Sequence, residues 1–241
     1  MTKLIAAFAL SALISTCALT AQAGLIANVQ FNRTTGHTYT GAAVVGSEGD
    51  YWNDLLTGTD SDVVLYDIGN NASDLTLSWT GTGVATAKIS GYYNGFASTG
   101  YANLMNGYLY LNNTSSTNHI IISGLTASLD YSIYIYSTGD AGCTGRQLTV
   151  NLNDSGAVTT APAVASASTF ILNQNYLMID VLSSAMGQID IAYSSAISEA
   201  DINGIQIVSS VPEPASTALL LSGSLGLLVF WRKSKTRKSQ Q

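Results

Sequence analysis

The chain has 241 residues, with 9 Lys and Arg against 15 Asp and Glu, for a formal net charge of −6. Six of the nine cations lie in the two terminal stretches, so residues 24–210 hold only Arg33, Lys88 and Arg146 against fourteen acids, a net charge of −11. Nucleic-acid binding needs a basic footprint and is excluded, while the length suits one domain with a sizeable core.

Residues 1–23 predict a signal peptide. Lys3 supplies a thin positive start, residues 4–19 an apolar run, and Ala21-Gln22-Ala23 the small-x-small pattern cut by signal peptidase, here between Ala23 and Gly24. Cys17 follows Thr16 rather than the small residue of a lipoprotein signal, so it is expected to leave with the leader. Cys143 then has no partner, and no internal disulfide is expected despite an oxidising destination. In its glycine-rich turn Cys143 is read as a loop thiol without a function.

From Gly24 to Ser210 one type of element recurs: short stretches of period-two alternation, separated by Gly, Asn, Asp, Ser and Thr. In 75–79 Leu75, Leu77 and Trp79 share a face, and in 131–136 Ile133 and Ile135 part from Tyr134 and Tyr136. Residues 148–152, 189–193 and 205–207 alternate likewise, and 29–32, 63–68, 84–89, 108–111, 119–122 and 176–181 are further expected strands. A short helical turn is placed near 52–56 or at 198–201, with no longer helical repeat before Pro212. The expected class is all-β, an antiparallel β-sandwich.

Ser123-Gly124-Leu125, the tyrosine-rich strand 131–136, the polar strand 146–152 and its turn Asn153-Asp154-Ser155-Gly156, and the closing strand 200–207 resemble the core of galactose-binding-like, malectin-like jelly rolls. The resemblance spans about half the domain and implies that fold. It implies little about a ligand.

Catalytic and metal motifs are sparse. His37 and His119 stand far apart with no zinc spacing, and neither a Gly-x-Ser-x-Gly elbow nor a phosphate-binding glycine loop is present. A glycosidase needs two carboxylates facing across a cleft, whereas Glu48 with Asp50 and Asp60 with Asp62 fall in polar loops. Those four acids offer oxygens of the type Ca²⁺ takes, without EF-hand spacing; solvated acidic loops would look the same. Tyr92, Tyr93, Phe96 and Tyr101 crowd the Gly/Asn/Ser-rich stretch 91–101, expected to be a long loop. Such rings beside amides suit a sugar, whose apolar face stacks while its hydroxyls hydrogen-bond. Rings covering a sheet edge would give the same pattern. Trp52 is expected in the core.

The chain closes with Val211-Pro212-Glu213-Pro214, an uncharged apolar run over 215–231, and five cations among residues 232–238. The run predicts one short transmembrane helix, and the basic end predicts a cytoplasmic tail with the domain facing outward. Triplet, span and basic tail together resemble the PEP-CTERM sorting signal, although Ser234 and Thr236 dilute the cluster. The resemblance implies recognition and cutting near Pro212–Pro214 by an exosortase, after anchoring in the inner membrane, and a destination at the cell surface or in the extracellular matrix. The expected organisation is a signal peptide (1–23), a β-sandwich ectodomain (24–210) and a sorting signal (211–241). The expected function is non-enzymatic exopolysaccharide binding. A structural or adhesive matrix role without a specific ligand is the alternative, and a carbohydrate-active enzyme the third.

Overall fold

A computed structural model describes residues 24–33, 37–86, 94–112 and 116–210. The leader, the Pro212–Pro214 triplet, the apolar run after it, and Tyr92 and Tyr93 lie outside the described residues. Within the described residues no helix is long and apolar enough to cross a membrane. Gly24–Ser210 forms one compact unit.

The described residues form three sheets. A five-stranded sheet comprises β1 (Gly24–Phe31), β2 (Asn53–Leu55), β8 (Asp130–Tyr136), β11 (Tyr176–Leu182) and β14 (Gly204–Ser209), in the order β11-β8-β14-β1-β2. A six-stranded sheet comprises β3 (Asp60–Tyr66), β4 (Ala72–Trp79), β7 (Thr117–Ser123), β9 (Gln147–Leu152), β10 (Ala157–Thr159) and β12 (Ile189–Ile197), in the order β10-β9-β12-β7-β4-β3. A small sheet, β13-β6-β5, joins β5 (Gly83–Thr86), β6 (Gly107–Leu111) and β13 (Ala200–Ile202). Pairing is antiparallel throughout except between β1 and β2.

Alternation sets the core. Ala27, Val29 and Phe31 of β1, Ile133 and Ile135 of β8, and Ile205 and Ile207 of β14 meet Leu77, Ile120, Ile122, Val150, Ile191 and Tyr193 from the six-stranded sheet in one buried cluster. The two large sheets therefore pack as an all-β sandwich with the apolar face of each turned inward. Full burial of each Ile or Leu contributes about 1.5–3 kcal/mol.

The other face of the five-stranded sheet is also covered, which alternation alone does not predict. Trp52, Phe96, Leu104, Met105 and Tyr136 form a second buried cluster there. Asn28, Gln30 and Gln206, on that face, are buried and satisfied. Gln206 donates to Asn28 Oδ1 at 2.9 Å, Asn28 donates to the Tyr51 carbonyl at 3.0 Å, and Gln30 accepts from the Tyr39 amide at 2.8 Å. The row of amides ties down the segment before β2, as buried polar groups require.

Three local expectations change. Asn53–Leu55, placed near a helical turn, is a strand because its backbone pairs with Val29, Gln30 and Phe31. No helical turn forms at 198–201. The expected closing strand 200–207 is a strand there, but it breaks at Asn203 into Ala200–Ile202, paired with Leu109, Tyr110 and Leu111, and Gly204–Ser209, paired with β1 and β8, with Ser198 turning into it at φ 60°. The expected loop over 91–101 contains a 3₁₀ turn, Gly95–Ser98, and leads directly into the helix α1 (Ala102–Asn106). Asn94 caps the turn by accepting from the Phe96 amide at 3.1 Å, and it donates to the carbonyls of Met105 at 2.7 Å and Gly139 at 2.8 Å. Leu104 and Met105, good helix formers, then bury their side chains in the second cluster.

Candidate functional site

One end of the sandwich holds a cavity of about 330 Å³, lined by Arg33, Val84, Ala85, Tyr108, Tyr110, Asp140, Arg146 and Glu199. Arg33 lies just past β1, the two tyrosines stand on β6, and Arg146 precedes β9. Gly83 lets β5 lie close to Tyr110, since a Cβ there would stand 2.9 Å from the Tyr110 hydroxyl.

Arg146 organises the carboxylates. Its Nη1 lies 2.6 Å from Glu199 Oε1, 3.1 Å from Asp201 Oδ2 and 3.6 Å from Asp140 Oδ1. Gly139, at φ 46°, makes room, because a Cβ there would sit 2.3 Å from Asp201 Oδ2 and 2.9 Å from Arg146 Nη1. The Tyr108 hydroxyl donates to Asp140 Oδ2 at 3.4 Å.

Burial shapes the protonation of this cluster. Asp201 is only 3% exposed, and burial raises its carboxyl well above the usual range; Arg146 opposes the rise and neighbouring Glu199 adds to it. Asp201 Oδ1 is buried with no protein donor facing it, which a protonated carboxyl tolerates better than a carboxylate. Burial also raises the Tyr108 phenol, helped by Asp140, Asp201 and Glu199. For Arg146, burial lowers the pKa, but Asp201, Glu199 and Asp140 together carry it above its ordinary value. The guanidinium therefore stays charged.

The cavity combines phenol rings, guanidinium donors and carboxylate acceptors, the groups that stack on and hydrogen-bond a polyol. It is poorly built for glycoside hydrolysis. Glu199 and Asp201 are both engaged by the one Arg146 nitrogen, whereas hydrolysis needs two carboxyl groups facing across the scissile bond.

The residues singled out in the sequence fall elsewhere. Phe96 is fully buried, 5.3 Å centroid to centroid from Phe170, so it is a core ring rather than a stacking surface. Tyr101 is half-buried, with ring centroids 4.6 Å from Phe170 and 6.2 Å from Tyr39. Tyr92 and Tyr93 lie outside the described residues. Trp52 is buried in the core and donates to the Gly41 carbonyl at 2.9 Å.

Among the acids, Glu48 is exposed, and buried Asp50 accepts from the Ser47 amide at 2.7 Å. Asp60 accepts from the Ser61 amide at 2.9 Å, and Asp62 stands at φ 54° on the same exposed strand start. No group of three His, Cys, Asp or Glu among the described residues stands close enough to hold a metal ion. Cys143 is free and buried, and burial, followed by the charge of Asp201, pushes its thiol up to about 11.

Arg33, Tyr108, Tyr110, Asp140, Arg146 and Glu199 were not singled out in the sequence. A signal did exist: in a domain with three cations and fourteen acids, Arg33 and Arg146 converge on one cavity.

No family model matches the chain, and no curated protein does. Among solved structures it is similar to a CBM35 from Cellvibrio japonicus Abf62, at 17% identity over 55% of this chain and 91% of that one, with a TM-score of 0.36. A family 35 carbohydrate binding module from an environmental isolate matches at 18% identity, over 57% and 91%, with a TM-score of 0.35. The plant receptor-like kinase ANX1 matches at 11% identity, over 80% of this chain and 50% of that one, with a TM-score of 0.46. Below 0.5, these scores carry no argument about fold or ligand. The sandwich assignment rests on the sheets and their shared core.

Proposed function

We propose that Gly24–Ser210 is a non-enzymatic, saccharide-binding jelly roll of galactose-binding type, carried by an exported protein that an exosortase sorts to the cell surface or matrix. The observation that carries the binding role is the Tyr108–Tyr110–Arg146 cavity, where rings, guanidinium donors and carboxylates converge. Its placement fits that role. Gly24 pairs with Ser209 at one end of the sheet and Gln30 with Gly204 at the other, so both domain ends leave together. Arg33 follows the far end of β1, whose 8 residues at ~3.3 Å each hold the cavity about 26 Å from Gly24.

Sorting rests on Pro212, Glu213, Pro214, the apolar run and the basic tail. Replacing Pro212–Pro214 with alanines is expected to leave the full-length chain in the membrane fraction, and unchanged processing would remove exosortase from the account.

Binding is tested by titrating the detergent-solubilised full chain with a panel of bacterial exopolysaccharides, with and without a calcium chelator. Tyr110→Ala or Arg33→Ala is expected to weaken saturable binding, and chelator sensitivity would add calcium as a partner. Absence of binding from a folded chain would favour the structural matrix role.

A further inference from the structure

We propose that the outer face of the six-stranded sheet is a second saccharide-binding surface, independent of the Tyr108–Arg146 cavity, and that it takes a chain of amino sugars. A hollow of about 720 Å³ lies between the Asn153–Ser155 turn, the end of β11 and the faces of β9 and β12. A smaller hollow of about 290 Å³ lies beside Asp60, Ser78 and Thr80. His119 lines both.

Strand register makes the two hollows one track. Asn151 lies opposite Ala192 and Ala192 opposite His119, while in the adjacent row Asp190 faces Ile121 and Ile121 faces Ser78. The track crosses β9, β12, β7, β4 and β3, four strand spacings of ~4.8 Å, or about 19 Å. Ala192, a small side chain beside His119, leaves the larger hollow open on β12. His119 is held there by Asp190, whose carboxylate oxygens lie 2.9 and 3.0 Å from Nδ1.

The occupant follows from charge and hydrogen bonding. Asp154, Asp180 and Asp190 line the larger hollow and Asp60 the smaller, with no Lys or Arg in either lining. An acidic polymer is repelled, and a neutral one would cover carboxylates without a counter-charge. Ammonium groups supply that charge. The Asn151 amide and the hydroxyls of Ser155 and Ser184 match sugar hydroxyls. A basic peptide would satisfy the same charge, and it is the competing occupant that the titration separates.

The test is calorimetric titration of the detergent-solubilised full chain at pH 6 and low salt, with a glucosamine hexamer, its fully N-acetylated counterpart, and hexalysine. The glucosamine hexamer is expected to bind, more weakly as salt rises. Asp154→Asn and Asp180→Asn should each weaken it roughly two- to fivefold, as exposed ion pairs do, and Ala192→Trp should abolish it by filling the larger hollow. Tyr110→Ala and Arg33→Ala should leave it unchanged, which separates failure here from failure at the other cavity. Equal affinity for the acetylated oligomer, indifference to all three groove substitutions, or hexalysine binding as tightly as the glucosamine hexamer would each overturn the assignment.

Discussion

Arg146 Nη1 reaches Asp201 Oδ2 at 3.1 Å, while the other oxygen of that carboxyl is buried with no protein donor facing it. Half of the carboxyl is paired with charge and half is desolvated, and burial outweighs the pairing. Because the folded pKa is raised, folding favours the protonated acid. The stability this provides is complete below the ordinary carboxylate range, near ~4, and is lost as pH rises through the folded value. The melting temperature is therefore expected to be higher at pH 5 than at pH 8, with Asp201→Asn flattening the difference. An identical pH profile for Asp201→Asn would show that Asp201 does not titrate as argued.

Gly139 is tied to the same cluster. At φ 46°, with a Cβ position 2.3 Å from Asp201 Oδ2, it has no room for a side chain. Gly139→Ala is expected to cost about 1–3 kcal/mol, from left-handed strain and crowding. It should also weaken saccharide binding by displacing Arg146. Urea denaturation and calorimetry on the same variant check both effects.

Asn203 joins β13 to β14 and is fully buried. Its Oδ1 accepts from the Thr138 amide at 2.6 Å, and its Nδ2 donates to the carbonyls of Met105 at 3.1 Å and Gly107 at 2.8 Å. Asn203→Ala removes the side-chain partner of the Thr138 amide and the Gly107 carbonyl, while Asn94 still serves Met105, and is expected to cost about 2–5 kcal/mol, since each unsatisfied group costs ~1–3 kcal/mol. The midpoint of urea denaturation reports it; a loss below about 1 kcal/mol would mean water replaces the amide.

Cys143 is expected to be chemically quiet. With its thiol pushed up to about 11 from a reference of 9.0, alkylation at pH 8 should run about a hundredfold slower in the folded chain than in urea, on thiolate fraction alone. The thiol's contribution to stability is full below pH 9.0 and is lost as pH rises from there through about 11. Equal alkylation rates in the two states would place the thiol at the surface.

The strands with clean alternation were legible because one side of each faces the main core: Leu75, Leu77 and Trp79 point inward on β4, as do Ile189, Ile191 and Tyr193 on β12. The alternation was misleading on β8, where Tyr136 turns away from that core and is still fully buried. Its hydroxyl accepts from the Val44 amide at 3.0 Å, a contact between residues 92 positions apart. The short strand at Asn53–Leu55 carries too few residues to show a period, and only pairing with β1 defines it; the closing strand 200–207 was legible, but not its break at Asn203 between two sheets. Phe96 looked like a surface ring because its neighbours are Gly, Asn and Ser, but those residues serve a capped turn that drives the ring inward.

By itself the sequence determined the all-β class, the positions of the longer alternating strands and the scarcity of cations in the domain, because each follows from local periodicity or composition. Its terminal stretches likewise carry the export and sorting expectations in contiguous residues. Only the tertiary structure decided which residues share a cavity. Arg33, Tyr108, Tyr110, Asp140, Arg146 and Glu199 come from β6 and from the connections after β1, β8 and β12. What unites them is the closure of two sheets over one core, which brings strand termini together and excludes enough water for a single arginine to hold three carboxylates.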